Sequence, residues 1–392
     1  MKVPMLSPFS FYMPTGLHFG PGTLNVLADP EVDFPGRKAL IVTGGSSVKK
    51  YGYLERVREL LRARGVVCDV FDKIQPNPVV EHVMEAAQIA RSEHCDVVVG
   101  LGGGSSMDSA KSIALMATNP GDYWDYVSGG SGKGLPVPNP ALPIVCITTT
   151  AGTGTEADPW TVITKSDTHE KIGFGCKETF PTMSIVDPEL MTTIPPHLTA
   201  YQGFDALFHS VEGYVASCAT PISDLFALKA IELIACNLPA AVHDGTDLEA
   251  RNAVAMASTF SGIVETASCC TSEHSIEHAL SAYNPDLPHG AGLIAISLAY
   301  HRAYGPSCPD RYATMAKLFG EEASVEGFLK GLRNLQEACG VSDIKLSDYG
   351  VRQEMIPEYA ANARATMGGL FELDRVLLDR HAVEEILRQS CR

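Results

Sequence analysis

The chain has 392 residues, of which 45% are hydrophobic and 19% charged, and its formal net charge at pH 7 is −16. That length exceeds what one ordinary core fills, so we expect two domains with a ligand-binding cleft between them. The negative charge, with no local run of Lys and Arg, argues against nucleic acid and anionic membranes as partners.

The amino terminus and the cysteines predict a cytoplasmic protein. The opening MKVPMLSPFSFYMPTG lacks the unbroken apolar stretch of a signal peptide. No run approaches the roughly 18 apolar residues of a membrane span, so none is predicted. The eleven cysteines are scattered without a CxxC pair, as expected for small buried side chains in a reducing compartment.

The first half of the chain alternates β-branched runs with amphipathic helical stretches. This pattern is typical of a parallel sheet with crossover helices, a Rossmann-like arrangement. Strands are predicted at 38–43, 66–71, 96–99 and 144–148, and helices at 53–64, 79–93 and 107–117.

After Pro188 the pattern changes, because helix-period segments follow one another with hardly a β-branched run between them. Prolines at 181, 188, 195 and 196 mark the changeover. We therefore predict an α/β domain over residues 1–188 and an all-α domain over 189–392. Helices in the second domain are predicted at 198–217, 221–237, 247–267, 290–303, 309–318, 323–339 and 374–390.

Three loops at strand ends are rich in glycine or hydroxyl groups. A glycine turn between a strand and a helix lets backbone amides approach a phosphate, although such a turn also serves tight packing about as often. The loop over 148–156 could hold a ribose or phosphate, or could simply cap the next element. The candidate cofactor residues in these loops are Gly44, Gly45, Ser46, Gly102, Gly103, Gly104, Ser105, Thr148, Thr149 and Thr153.

The turn after the first predicted strand bears on which dinucleotide would bind. Many dinucleotide sites place a carboxylate there, which binds the adenosine ribose and repels a 2′-phosphate. Here Gly44 and Gly45 occupy the turn, and Lys49 or Lys50 could neutralise the phosphate. The loop predicts a preference for NADP(H) over NAD(H), with an ordinary solvated loop as the alternative interpretation.

Candidate metal ligands occur in two short segments of the second half. Asp205 and His209 are four residues apart in a helical stretch, so they share one face. Glu273 to His278 repeats the spacing with His274 and His278, and His289 begins the next predicted helix. Each histidine alone is more often structural, but together they indicate a metal site.

One carboxylate and three imidazoles suit ferrous iron, zinc, manganese or cobalt, and the ligands alone do not choose among these ions. With an open coordination position, such an ion lowers the pKa of an alcohol or polarises an aldehyde carbonyl, which assists hydride transfer.

The motifs in combination resemble the iron-dependent, or group III, alcohol dehydrogenases. The resemblance runs from about residue 10 to the carboxyl terminus. It implies an α/β dinucleotide-binding domain and a helical domain of the dehydroquinate synthase-like fold, with the active site between them. The segments that carry it are GGGSSMDSAKSIA (102–114), TTTAGTGTEA (148–157), IVDPELM (185–191), GFDALFHSVEGYVA (203–216) and EHALSAYNPDLPHGAGLIAIS (277–297).

The resemblance also implies roles for individual residues. It assigns Asp205, His209, His274 and His289 to Fe²⁺ or another divalent ion such as Zn²⁺, and His278 to proton relay or substrate positioning. It further places Gly102, Gly103, Gly104 and Ser105 at the pyrophosphate, Thr148, Thr149 and Thr153 near the adenosine and ribose, and Lys171 near the nicotinamide ribose.

The expected activity is hydride transfer between NADP(H), or NAD(H), and a small primary alcohol, aldehyde or diol. A zinc glycerol dehydrogenase-type polyol dehydrogenase and a catalytically silent binding protein of the same fold are the alternatives. Relatives of this type are commonly dimers or larger homo-oligomers. Position beside the ligands suggests a partly apolar substrate wall from Phe208, Phe260, Val264 and Tyr283.

Overall fold

A computed structural model describes residues 8–391 of the chain. Its first part contains a fully parallel six-stranded sheet and a separate two-stranded antiparallel hairpin. The sheet strands are β1 (Gly16–Phe19), β2 (Lys38–Gly44), β3 (Val67–Ile74), β4 (Val97–Gly102), β5 (Ile144–Thr148) and β8 (Met183–Val186), and the hairpin strands are β6 (Thr161–Lys165) and β7 (Glu170–Phe174).

Crossover helices cover the sheet, which explains why its central strands are almost continuously apolar. Strand β4 is buried along its whole length, and β5 likewise. The helices of this part are α1 (Ser47–Lys50), α2 (Tyr53–Ala63), α3 (Val80–Ser92) and α4 (Gly104–Thr118).

The strand order β1-β8-β5-β4-β2-β3 places a topological switch point between β2 and β4. The chain leaves β2 toward β3 on one side and returns to β4 on the other. Connections that diverge in this way leave a crevice at the carboxyl ends of the two strands, where α/β sheets bind ligands. The two glycine turns, after β2 and after β4, both lie at this crevice.

The remainder of the described chain is helical. Helices α5 to α9 contribute to one large apolar core, which is separate from the two cores on the faces of the sheet. The helices are α5 (Pro196–Val215), α6 (Pro221–His243), α7 (Leu248–Ala267), α8 (Ser272–Tyr283), α9 (His289–Tyr304), α10 (Pro309–Leu318), α11 (Val325–Ala338), α12 (Ile356–Phe371) and α13 (Arg380–Ser390).

Helix α6 is long and apolar enough to cross a membrane by length and composition alone, as α7 and α8 would be if their 108° bend were ignored. Lys229 and Glu232 interrupt its apolar residues, so the sequence shows no unbroken run there. In the structure α6 packs against α5 and α7 and buries Ile231, Ile234 and Leu238, as a core helix does.

The fold class is as predicted, and the predicted strands and helices all correspond to observed elements. Several boundaries differ from the prediction: α6 continues to His243 and not to residue 237, and β3 continues to Ile74 and not to residue 71. Strand β4 continues to Gly102 and α4 begins at Gly104, so the loop predicted over 100–106 is far shorter. The last helix begins at Arg380 and not at residue 374, because the carboxylate of Asp379 caps it by accepting from the backbone N–H of Ala382.

Several elements have no counterpart in the sequence analysis, namely β1, β8, the β6–β7 hairpin, α8 and α12. Three of them shape the site. Strand β7 packs against α8 and α12, and these two helices pack against each other, so the hairpin reaches from the sheet to the helical part.

Glycines allow a second close approach between the two parts. A Cβ on Gly262 of α7 would lie 2.0 Å from the carbonyl oxygen of Gly154, which has a φ of +66°. The hydroxyl-rich loop after β5 therefore lies directly on α7.

Candidate metal centre and dinucleotide cleft

A cavity of about 710 Å³ lies where the sheet edge, the hairpin and the helical part meet. The candidate histidines line it from one side, and the glycine turn at the start of α4 lines it from the other. This is the volume range of sites for small molecules and cofactors. The two sets of predicted residues thus share one space.

Four side chains from α5, α8 and the start of α9 converge at the inner end of this cavity. The Oδ1 atom of Asp205 lies 3.3 Å from Nε2 of His289, 3.7 Å from Nε2 of His274 and 3.8 Å from Nε2 of His209. The turn spacing on α5 aligns Asp205 with His209, as the sequence predicted, while α8 and α9 deliver the other two imidazoles.

These residues fit a divalent metal ion. Asp205 Oδ1 and His274 Nε2 are buried and have no hydrogen-bond partner among residues 8–391, a costly arrangement that a cation between them would relieve. Ligands about 2.1 Å from a tetrahedral ion are roughly 3.4 Å from one another, close to the separations found here. One carboxylate with three imidazoles is also a donor set that Fe²⁺ and Zn²⁺ accept.

Two buried glutamates contact the outer nitrogens of these imidazoles. Glu212 Oε1 contacts Nδ1 of His274, and Glu277 Oε2 contacts Nδ1 of His289. An acceptor at Nδ1 keeps the proton there and leaves Nε2 as the free lone pair. Neither glutamate was predicted from the sequence, although Glu277 lies three residues after His274.

His209 has a different environment. Burial lowers its pKa to about 4, despite the opposing charge of Asp205, so the imidazole is neutral at neutral pH. Its Nε2 lies 3.1 Å from Oε1 of Glu265, which also accepts a hydrogen bond from Sγ of Cys270 at 2.8 Å. Burial raises the pKa of Glu265 to about 8, so it holds a proton more readily than an exposed glutamate.

Glu265 and Cys270 both line the cavity, and the sequence analysis missed them. No spacing signal singles them out, because they come from α7 and from the loop before α8.

His278 lies beside the four converging side chains, with its ring centroid 5.2 Å from that of His289. Its Nδ1 is 2.9 Å from Sδ of Met367. Burial and the charge of Lys171 hold the pKa of His278 well below its usual range, so it is a neutral imidazole facing the cavity.

The predicted cofactor residues lie at or just after the carboxyl ends of β2, β4 and β5, except Lys171, which is on β7, and only some of them reach the cavity. Gly104, Ser105, Thr153 and Lys171 line it. Gly104 packs closely against Thr153, since a Cβ at 104 would lie 2.5 Å from Thr153 Cγ2. The remaining members, which do not line the cavity, are Gly44, Gly45, Ser46, Gly102, Gly103, Thr148 and Thr149.

The first turn of α4 is suited to an anion. No side chain of the residues that the structure describes caps this helix, so its leading amides face the crevice without such a competing acceptor. Gly102 is the last residue of β4 and has a φ of +147°, which residues with a side chain rarely adopt. Glycine here lets the backbone turn from the strand toward α4.

Lys49 does not stand free beside the β2 turn, because its ammonium group pairs with Asp72 at the end of β3. Lys50 is exposed, and its ammonium lies 5.1 Å from the ring centroid of Tyr51. Of the two lysines named from the sequence, Lys50 is therefore the one without a carboxylate partner among the described residues.

A buried ionic network, also missed from the sequence, supports the loop after β5. The Lys111 ammonium donates to Thr155 Oγ1 at 2.6 Å and to Asp158 Oδ1 at 3.1 Å. Asp108 accepts from the same Thr155 hydroxyl at 2.7 Å and from the backbone N–H of Val162 at 2.9 Å. The network holds the cavity wall between α4 and the hairpin.

The predicted apolar substrate wall was wrong. None of Phe208, Phe260, Val264 and Tyr283 lines the cavity. Helix α7 turns about 100° per residue, so it presents Glu265 to the cavity and directs Val264 toward Gly213 in the core. The apolar lining comes from Trp160, Met367, Leu370 and Leu373.

Comparison with known proteins gives consistent matches over nearly the whole chain. The model of the iron-containing alcohol dehydrogenases matches residues 14–188, and that of the Fe-containing alcohol dehydrogenase family, C-terminal, matches 199–391. The 1,3-propanediol dehydrogenase of Citrobacter freundii is 33% identical over 97% of this chain and 98% of its own length.

Two further relatives agree with these matches. The NAD-dependent methanol dehydrogenase of Bacillus methanolicus is 35% identical over 90% of this chain and 93% of its own length. Among solved structures, an archaeal halo-thermophilic alcohol dehydrogenase from a Red Sea brine pool is 36% identical with a TM-score of 0.93, covering 98% of this chain and 100% of that one.

We predict that His274→Ala abolishes stoichiometric metal binding while the fold is retained, because a site of four donors loses much of its affinity with one of them. Metal content after reconstitution, measured by atomic emission, and the far-ultraviolet circular dichroism spectrum test this. His301→Ala is not a suitable control, since His301 is a core residue, whereas exposed His381→Ala should leave the metal content unchanged. Normal metal content in His274→Ala would contradict the assignment.

Proposed function

This chain belongs to the iron-containing alcohol dehydrogenase family, and on that premise we propose that it transfers a hydride between NADP(H) and a small primary alcohol, aldehyde or diol. The family implies iron and NAD(H) as cofactors. The preference for NADP(H), the substrate class and the residue roles are our proposals.

One observation carries the proposal: the candidate metal donors and the anion-suited turn of α4 open into the same cavity. His209, His274 and His289 line it together with Gly104, Ser105 and Lys171. Hydride transfer needs the nicotinamide ring and the substrate carbon in contact, so a shared cavity is what the reaction requires.

In this proposal Asp205, His209, His274 and His289 hold the divalent ion. When bound, the ion supplies Lewis acidity to the oxygen of the alcohol or aldehyde. The donor set is three imidazoles and one carboxylate, and the three histidines line the cavity, so a bound substrate could reach the ion from that side.

His278 is suited to move the proton that accompanies hydride transfer. It is a neutral imidazole with a ring nitrogen that can accept a proton, and it lines the cavity next to the metal donors. Lys171 is suited to bind a ribose hydroxyl, since it is buried at the cavity wall and its ammonium already donates to Ser281 Oγ at 2.9 Å. Trp160 and Leu370 provide apolar surface that excludes water.

The β2 turn supports the preference for NADP(H). Neither Gly44 nor Gly45 offers a carboxylate to repel a 2′-phosphate, and a Cβ on Gly45 would meet nothing within 4 Å, so the turn has room. Lys50 is available to the phosphate, whereas Lys49 is paired with Asp72.

We also propose a cytoplasmic homodimer or larger homo-oligomer that binds neither nucleic acid nor membranes. The net charge of −16 supports the exclusion of anionic partners. All eleven cysteines are unpaired, which agrees with a reducing compartment.

The activity itself is tested with the full chain reconstituted with Fe²⁺ or Zn²⁺. We expect NADPH oxidation with aldehydes of about two to six carbons and the reverse reaction with alcohols and diols of that size, given the cavity volume. Activity should disappear on metal removal with a chelator and return on adding the ion. A metal-loaded protein that oxidises neither NADPH nor NADH with any of these aldehydes would favour a silent binding protein.

For His278→Ala we expect retained metal and a rate lowered about 10- to 1000-fold, because a positioned proton-transfer group is lost. The measurement is kcat against pH together with metal content. His278→Gln, which keeps a polar group without proton transfer, serves as the matched variant and should be slow as well. A rate unchanged across pH in the alanine variant would rule out the proton role.

For cofactor choice we expect wild-type kcat/KM to be higher with NADPH than with NADH. Gly45→Asp should lower the NADPH value about 10-fold or more, because a carboxylate would face the 2′-phosphate. Gly45→Asn is the control, since Asn also tolerates the φ of +64° at this position but carries no charge. A wild-type preference for NADH, or equal effects of both substitutions, would refute the assignment.

A further inference from the structure

In two of the candidate metal histidines, a buried carboxylate contacts the outer ring nitrogen, Nδ1, which faces away from the other candidate ligands. Glu212 on α5 contacts Nδ1 of His274, and Glu277 on α8 contacts Nδ1 of His289. Both glutamates have 0% exposure, so neither is present for solubility or surface charge. Burying two carboxylates is costly unless each has a defined partner.

Glu212 is held in place by donors other than the histidine. Its Oε2 accepts from the backbone N–H of Thr271 at 2.8 Å and from the Thr271 hydroxyl at 2.9 Å. The loop before α8 therefore positions the carboxylate, and Oε1 remains for Nδ1 of His274. Glu212 accepts the hydrogen bond in each of these contacts and donates none, as an ionised carboxylate does.

Two other elements, β7 and α9, position Glu277. Its Oε2 lies 3.6 Å from the ammonium of Lys171 on β7, which compensates its charge. The first turn of α9 packs closely against Glu277, because a Cβ at Gly292 would lie 2.8 Å from its Cγ and Oε1 atoms. Glycine at 292 thus makes room for this carboxylate next to His289.

A third buried glutamate, Glu273 on α8, provides a contrast. Glu273 is equally buried, but its Oε2 lies 3.2 Å from Nε2 of His301, a core histidine that is remote from the cavity lining. Helix α8 therefore carries two buried carboxylates of the same type, one on a candidate metal ligand and one on a structural histidine.

We propose that Glu212 and Glu277 are positioning residues for the metal centre, which fix His274 and His289 with the proton on Nδ1 and direct the lone pair of Nε2 toward the ion. This inference rests on the proposed metal site. A carboxylate on the outer nitrogen also makes the imidazole a stronger donor, and loss of such a partner typically lowers metal affinity 10- to 100-fold.

The test is the affinity of the metal-free full chain for Co²⁺ and Zn²⁺, measured by competition with a chromophoric chelator. We expect Glu277→Gln to bind both ions about 10- to 100-fold more weakly than the wild type, because the amide oxygen can still accept from Nδ1 but carries no charge. The matched control, Glu273→Gln, removes a buried carboxylate from the same helix and should keep the wild-type affinity.

A second readout separates positioning from a general loss of structure. The visible absorption of the Co²⁺-loaded protein reports the donor geometry, and we expect it to change in Glu277→Gln but not in Glu273→Gln. The thermal unfolding midpoint of metal-free Glu277→Gln establishes whether that variant folds. If it does not, Glu212→Gln replaces it, with a weaker affinity expected for the same reason and a further loss because its amide would face the donors of Thr271.

The outcomes are distinct. Wild-type affinity in a folded Glu277→Gln, or an equal loss in Glu273→Gln, would overturn the positioning role while leaving the metal site intact. A wild-type chain that binds neither Co²⁺ nor Zn²⁺ would instead contradict the proposed function. A selective loss in Glu277→Gln with an altered Co²⁺ spectrum supports the inference.

Discussion

The organisation of the helical part depends on the burial of Asp205 among three imidazole nitrogens. Its Oδ1 is buried without a hydrogen-bond partner in the described part of the chain, with Nε2 atoms of three histidines 3.3 to 3.8 Å away. A carboxylate in this position is costly unless a cation neutralises it. The requirement that α5, α8 and the start of α9 deliver these atoms to one point therefore constrains how those helices pack.

The same constraint extends outward to residues that never reach the cavity. Glu212 and Glu277 are buried against the outer nitrogens of two of the imidazoles, and each is held by groups from another element, Thr271 and Lys171. Buried polar networks of this kind are stable only when nearly every member has a partner. The polar interior of α5 and α8 is thus explained by the metal donors, although apolar residues would ordinarily fill it.

The cleft joins two features that different parts of the fold generate. Parallel strands with diverging connections leave a crevice at the carboxyl ends of β2 and β4, while the helical core presents the metal donors. The β6–β7 hairpin connects them, because it leaves the sheet region and carries Lys171 to α8. Without this hairpin the anion-suited turn and the metal donors would have no shared wall.

Local patterns in the sequence determined the fold class, four of the eight strands in the described residues and most of the helices, because helix and strand periods depend on neighbours along the chain. One-turn spacings also indicated Asp205, His209, His274 and His278 as candidate site residues, whereas the family resemblance, and not a local pattern, selected His289 over His278 as the fourth candidate ligand. Only the tertiary structure decided which residues surround them. Glu212 lies more than 50 residues before Glu265 and Cys270 in the sequence, so no local pattern connects them. The face that α7 turns to the cavity presents Glu265 there and not Val264. Strands β1 and β8 have four residues each, too few for a recognisable local pattern. They are stabilised by pairing with each other, although they are far apart in the sequence.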